Sequence, residues 1–299
     1  QTFIYRLAIK LMKNLPNWLF KREVIMPNEN ELNIEIAYSL IMHGVKVSRV
    51  QLNTLPNDKV AIPDVNIEKL YKEIFPIIQK RVEKWVVPPA VSTVMKLFKL
   101  HLDGELNHFS LCVNEWKKVI VKNNNAKQFV LANSPGNTKG QALAYICRKF
   151  DIPLISSQHG VTVEISEAHK LIQNALDNSA SDIVFTYNSK IADIGKNTFF
   201  NKSKYFTVGM PKRLIRMRDM QTTSKEVTPI VYISTNLYHM GLNLAQKTDY
   251  GNAKDEQLLI TNVLSKLPHK VCYKTYPEDN RRYADTDPVL MYAEKARNM

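Results

Sequence analysis

Short apolar runs bounded by polar residues recur along the chain, and segments of helical apolar period separate them. Val24-Ile25-Met26, Ile183-Val184-Phe185 and Ile230-Val231-Tyr232-Ile233 are examples. Runs of this kind predict strands of a parallel sheet buried on both faces, with the periodic segments as crossover helices. Strands are expected at 23–26, 45–52, 128–132, from 152 onward, and at 181–187, 204–208, 229–234 and 270–274. Helices are expected through 42, over 67–85, from 92 to 102 and onward to 121, over 141–150, up to about 178, after Asn188-Ser189, and over 255–267. The class is α/β with parallel sheets. The polar stretch 220–228 reads as a linker, so 23–219 forms one domain with a helical insertion, and 229–299 opens a second.

The apolar run from Ile152 stops abruptly at Ser156, Ser157, Gln158, His159 and Gly160. A buried parallel strand delivers such side chains to the carboxyl edge of its sheet, where ligands of open α/β sheets bind. Gly160 permits a turn or close approach of the backbone, and His159 titrates near neutrality. A histidine that only braces its loop would leave the same pattern. Glu164 and Glu167 follow, as candidate bases or as acids of a first helical turn. One β-α unit earlier, Ser134-Pro135-Gly136-Asn137-Thr138-Lys139-Gly140 forms a strand-to-helix turn able to aim backbone N–H groups at an anion. Its spacing is neither that of a Walker A loop nor that of the dinucleotide fingerprint. In a parallel sheet the two loops should emerge on one edge.

In the second domain, the strand over 229–234 runs into Ser234-Thr235-Asn236, and the next ends in Lys274-Thr275-Tyr276-Pro277, with Arg281 and Arg282 close behind. Residues 1–22 differ from both domains. Arg6, Lys10, Lys13, Lys21 and Arg22 stand there without an acid, while Ile4, Leu7, Leu11 and Leu15 recur at helical spacing ahead of Trp18-Leu19-Phe20. A basic amphipathic segment suits an anionic membrane surface, and a packed helix with a solvated basic face is the plainer alternative. Pro16 should end the helix.

A formal charge of +13 favours an anionic partner without choosing one. No apolar run is long enough to span a bilayer. Three widely spaced cysteines and no Cys-x-x-Cys or His-Glu-x-x-His spacing point to reduced thiols, a cytoplasmic location and no metal. The start at Gln1 and the end in mid-pattern at Met299 read as part of a longer chain.

The order of these features resembles that of the GT-B sugar transferases of bacterial surface-polysaccharide assembly. Capsule and lipopolysaccharide transferases, including the Kdo-transferring type, are the nearest likeness. Gln158-His159-Gly160, the later Val208-Gly209-Met210-Pro211, Ser234-Thr235 and Lys274 to Pro277 carry the likeness, over about 23–287. The resemblance implies two Rossmann-like domains, the first for a saccharide or lipid-linked acceptor and the second, here incomplete, for a nucleotide-sugar. CMP is one nucleotide to expect. It implies no cofactor beyond that substrate, and a place in the cytoplasm at the inner face of the plasma membrane. Lys274, Arg281, Arg282 and the Ser234-Thr235-Asn236 turn would meet the donor with Tyr276 and Pro277. His159, Glu164 and Glu167 would supply the base, while Ser134, Gly136, Asn137, Gln158 and Gly160 line the acceptor side. Where such families often carry His-Pro, this chain has Tyr276-Pro277. Rival readings are a nucleotide-sugar epimerase or polyol-phosphate transferase on the same fold, a catalytically dead scaffold, and a basic nucleic-acid-binding protein. Against the last, the cations do not alternate with aromatics, and no nucleic-acid-binding motif is present.

Overall fold

Val24, Ile25 and Met26 are buried on both faces of the sheet they help build, as the first apolar run requires. The computed structural model describes residues 2–52, 67–121, 127–133, 135–158, 160, 164, 179–198, 201–219, 230–234, 249–275 and 289–299. The chain divides into two units, Gln1–Asp219 and Met220–Met299.

In the first unit, helix α1 (Thr2–Met12) and a 3-10 turn at Asn17–Leu19 precede β1 (Arg22–Met26), α2 (Glu31–Met42) and β2 (Lys46–Arg49). Asn30 caps α2 by accepting from the Asn33 backbone N–H at 2.7 Å. Gly44, at φ 74°, lets the chain leave that helix, with the Val45 N–H returning to the Leu40 carbonyl. Next come α3 (Ile67–Val82) and α4 (Pro88–Val121), then β3 (Lys127–Asn133), α5 (Thr138–Lys149) and β4 (Leu154–Ser157). The unit ends with β5 (Ile183–Thr186), α6 (Ser189–Lys196), β6 (Lys204–Thr207) and α7 (Lys212–Asp219).

Among the described residues these six strands form one parallel sheet in the order β2-β1-β3-β4-β5-β6. The chain steps from β1 outward to β2, then returns to the other side of β1 to lay down β3. The winding therefore reverses between β1 and β3. One face of the sheet carries Val24, Met26, Val47 and Leu131 under Tyr5 and Ala37 of α1 and α2. The other carries Ile25, Val130, Ala132 and Leu154 under α4 and α5. Each fully buried aliphatic side chain contributes about 1.5–3 kcal/mol.

The sequence pattern breaks the stretch after Pro88 into shorter helical pieces belonging to an insertion, whereas α4 is one continuous helix. Gly104 costs about 1 kcal/mol relative to alanine inside a helix. Burial of Cys112, Val113, Trp116 and Ile120 on the sheet outweighs it. The last third of α4 is thus a layer of the core rather than an excursion from it.

The second unit holds β7 (Ile230–Ile233), α8 (Asp249–Asn262), β8 (Val271–Lys274) and α9 (Leu290–Glu294). Its two strands pair in parallel, Ile230 opposite Val271 and Ile233 opposite Lys274. Ile260, Leu264, Val271, Val289 and Ala293 form its core. The stretch 53–65, the linker expected at 220–228 and most of the helix expected to end near 178 lie outside the described residues. Among those residues, no helix is long and apolar enough to cross a membrane.

Candidate functional site

The carboxyl edge of the large sheet is finished by amide side chains. Asn28, just past β1, donates through Nδ2 to the Asn133 carbonyl at 2.8 Å and accepts from the Asn133 N–H at 2.7 Å. One side chain thereby completes both backbone bonds at the point where β1 and β3 part. Asn30, while capping α2, donates through Nδ2 to Asn133 Oδ1 and to Ser157 Oγ, each at 2.9 Å. It fastens the loop after β1 to the ends of β3 and β4.

Gln158 continues the rail toward β5. Its N–H donates to the Phe185 carbonyl at 2.8 Å, its Oε1 accepts from the Tyr187 N–H at 2.8 Å, and its Nε2 donates to the Gly160 carbonyl at 2.6 Å. Gln158 is buried and held at each of these groups, so it shapes its loop. Asn188 caps α6 by accepting from the Ile191 N–H at 3.0 Å and donates through Nδ2 to Glu164 Oε1 at 2.9 Å. Burial, and after it the Glu31 carboxylate, pushes the Tyr187 phenol above its ordinary value. Ser156 Oγ and both amide atoms of Asn33, all buried near this edge, have no hydrogen-bond partner among the described residues. Such groups cost about 1–3 kcal/mol each.

A pocket of about 340 Å³ opens where the winding reverses. Asn28, Gln51, Trp116, Pro135, Asn137 and Lys139 line it. The turn into α5 forms one wall. Asn137 caps that helix by accepting from the Gly140 N–H at 2.8 Å, and Trp116 Nε1 donates to the Lys139 carbonyl at 3.0 Å. Any Cβ at position 140 would lie 2.4 Å from the Pro135 carbonyl oxygen, so only glycine lets the turn close this tightly. The pocket sets the amides of Asn28, Gln51 and Asn137 and the cation of Lys139 among apolar groups that include Val50, Leu52, Trp116 and Leu143. A concave apolar lining with a few polar groups is usual for a small-molecule site.

Of the residues singled out in the sequence, Asn137 lines this pocket, and Gly136 belongs to its turn. Gln158, Gly160 and Glu164 stand farther along the same edge, beyond the Asn133–Ser157 pair of β3 and β4. Ser134, His159 and Glu167 lie outside the described residues. In the second unit, the Ser234 N–H donates to the Lys274 carbonyl at 2.9 Å, so the two residues adjoin at the carboxyl ends of β7 and β8. Lys274 is exposed. Ser234 is buried and its hydroxyl donates to Glu256 Oε2 at 2.9 Å, so the hydroxyl turns inward to a buried carboxylate of α8. Burial, with Glu256 nearby, pushes the Tyr232 phenol up to about 12. Thr235, Asn236, Tyr276, Pro277, Arg281 and Arg282 are outside the described residues.

Gln51, Trp116 and Glu256, together with Asn28 and Asn30, are not singled out by the sequence pattern. The available signal is an asparagine at or just past the ends of β1, β3 and β5, at Asn28, Asn133 and Asn188, whereas β4 ends in Ser157-Gln158. Two acids of α2 bind α7: Glu31 pairs with Arg213, and Glu35 accepts from the Lys212 N–H at 2.7 Å. Among the described residues, no group of three or more His, Cys, Asp or Glu side chains could hold a metal ion. Compared with known protein families and with curated proteins, the chain matches none.

Proposed function

We propose that the chain is a GT-B-type glycosyltransferase that moves a sugar from a nucleotide-activated donor to a surface-polysaccharide or lipid-linked acceptor. The observation that carries this reading is the 340 Å³ pocket at the reversal of winding, on the same sheet edge as Gln158, Gly160 and Glu164, in a chain whose second unit has parallel strands running to Ser234 and Lys274. The first unit takes the acceptor in the pocket, and the second takes the nucleotide.

The acceptor oxygen forms a bond to the anomeric carbon as the sugar–phosphate C–O bond breaks. The nucleotide leaves with that electron pair, and the hydroxyl proton passes to a base. His159, Glu164 and Glu167 are the candidates. Asn188 orients the Glu164 carboxylate by its bond to Oε1. Lys274, with Arg281 and Arg282, offsets the charge that develops on the departing phosphate. Pro277 and Tyr276 shape the nucleotide's surroundings.

Helix α1 favours a peripheral position on the anionic inner leaflet. Tyr5 is buried, while Phe3, Leu7 and Leu11 share the opposite face at helical spacing, flanked by Arg6, Lys10 and Lys13.

Thermal shift with CMP-, UDP-, GDP- and CDP-linked sugars, followed by transfer of labelled sugar, tests the reading. A true donor at a hundredfold excess over its dissociation constant stabilises the fold by about 2.7 kcal/mol, and the label moves to an acceptor. Turnover without any acceptor would mark an epimerase, and a product that keeps the phosphate would mark a polyol-phosphate transferase. No response to any nucleotide-sugar would end the reading.

A further inference from the structure

Helices α3 and α4 form a hairpin whose outer half stands off the core. No described residue of α3 is buried, and α4 has none buried before Ser110. The two helices meet along a half-buried apolar seam that includes Ile74, Phe75, Ile78, Val94 and Phe98. Their rings join edge to face, Phe75 to Phe98 at 5.7 Å between centroids. With its seam satisfied, the hairpin still leaves bulky apolar groups outside. Trp85 at the tip is 87% exposed and Val87 68%. Pro88 and Pro89 beside them are exposed as well. Behind this tip stand Lys80, Arg81, Lys84 and Lys96 against one acid, Glu83. At its base, Glu105 accepts from the Thr138 hydroxyl at 2.7 Å, in the first turn of α5 beside the candidate pocket.

We propose that this hairpin is a membrane arm that inserts Trp85 and Val87 into an anionic lipid surface. A tryptophan at the end of a rigid element belongs at the boundary of headgroups and acyl chains, where an apolar ring body and a polar N–H are both satisfied. Cations set back from an apolar tip meet lipid phosphates as the tip enters. A second copy of the chain is a poorer occupant, because two tips of the same positive charge repel each other. The stretch of α4 from Pro88 to the Glu105 contact is roughly 25 Å long at 1.5 Å per residue. It holds the candidate pocket at a set reach from the bilayer, independently of what the pocket binds.

The test is flotation of the full chain with vesicles of phosphatidylcholine alone or mixed with phosphatidylglycerol, without nucleotide-sugar. Binding should require phosphatidylglycerol and weaken as salt is raised. Trp85→Ser with Val87→Ser should reduce partitioning roughly tenfold or more. Lys80→Gln, Arg81→Gln and Lys84→Gln should each cost roughly fivefold. Trp85 emission, isolated by difference from Trp85→Phe, should be quenched by brominated acyl chains. These side chains are exposed, so the variants should keep the wild-type melting temperature. Unchanged partitioning of the Trp85→Ser, Val87→Ser variant overturns the proposal. So does Trp85 emission that brominated lipid leaves alone, or a lipid-free dimer that this variant dissociates. Sugar transfer to a soluble acceptor is measured separately, so loss of the arm and loss of the transferase reading give different results.

Discussion

Gly140 shows how a single missing Cβ makes a site. The turn from β3 into α5 brings the Pro135 carbonyl so close to Gly140 that alanine would overlap the backbone. Gly140→Ala should therefore destabilise the first unit by about 1–3 kcal/mol and widen the turn that walls the pocket. Denaturant unfolding measures the first effect and ligand affinity the second. A variant as stable as wild type would show that the turn yields without strain. Cys147 makes a different point about burial. Its thiol, sealed under α5, is pushed up to about 12 by burial and then by the Asp182 carboxylate, from an ordinary value of 9.0. Above pH 9 the unfolded thiol releases a proton that the folded one keeps. Stability therefore falls as pH rises from about 9 to about 12, by roughly 1.4 kcal/mol per pH unit from this group alone. Cys147→Ala should flatten the pH dependence of unfolding across that window, and an unchanged slope would exclude the thiol as its source.

At the scale of elements, α1 shows why a face cannot be assigned from spacing alone. Ile4, Leu7 and Leu11 form the regular apolar stripe, yet they are exposed, and the helix is anchored by Tyr5. The Tyr5 hydroxyl donates to Glu29 Oε1 at 2.8 Å, and Glu29 in turn pairs with Arg49 at 3.3 Å. Burial, with Glu29, raises the phenol above its ordinary value, so it stays protonated as a donor. Tyr5→Ala should remove about 3–5 kcal/mol of packing, more than one short helix can spare. Hydrogen exchange should then accelerate over α1 before the sheet loosens. If α1 and β1 exchange together, the helix is part of the core rather than docked upon it.

For the whole molecule, the proposed division of labour predicts that substitutions in the two units fail differently. Lys274→Ala should lower sugar transfer by roughly 10²–10³ and weaken nucleotide binding. Lys139→Ala, in the pocket of the first unit, should raise the acceptor requirement and leave nucleotide affinity intact. Both are read from turnover at varied acceptor together with nucleotide titration. Equal loss of nucleotide affinity in both variants would refute separate sites.

The strands were legible because a parallel strand covered on both faces has no polar alternation to hide it: 24–26 and 130–132 read directly as buried runs. Ile183 and Phe185 are only half-buried, and Ile230, Val231 and Ile233 of β7, read the same way, are exposed. Strand followed by helix, repeated, then implies a parallel sheet, and an apolar run that stops at Ser156, Ser157 and Gln158 marks its carboxyl edge. What those polar residues hold was decided only when the chain closed. The pocket needs Asn28, Gln51, Trp116 and Lys139, which lie far apart in sequence and meet because β3 returns to the inner side of β1. Gln158 is consumed in shaping its loop, and Ser234 faces Glu256, by contacts that no local period encodes. Periodicity records which side chains avoid water along one element. Which element arrives to cover them, and which polar groups it brings, is a property of the packed molecule.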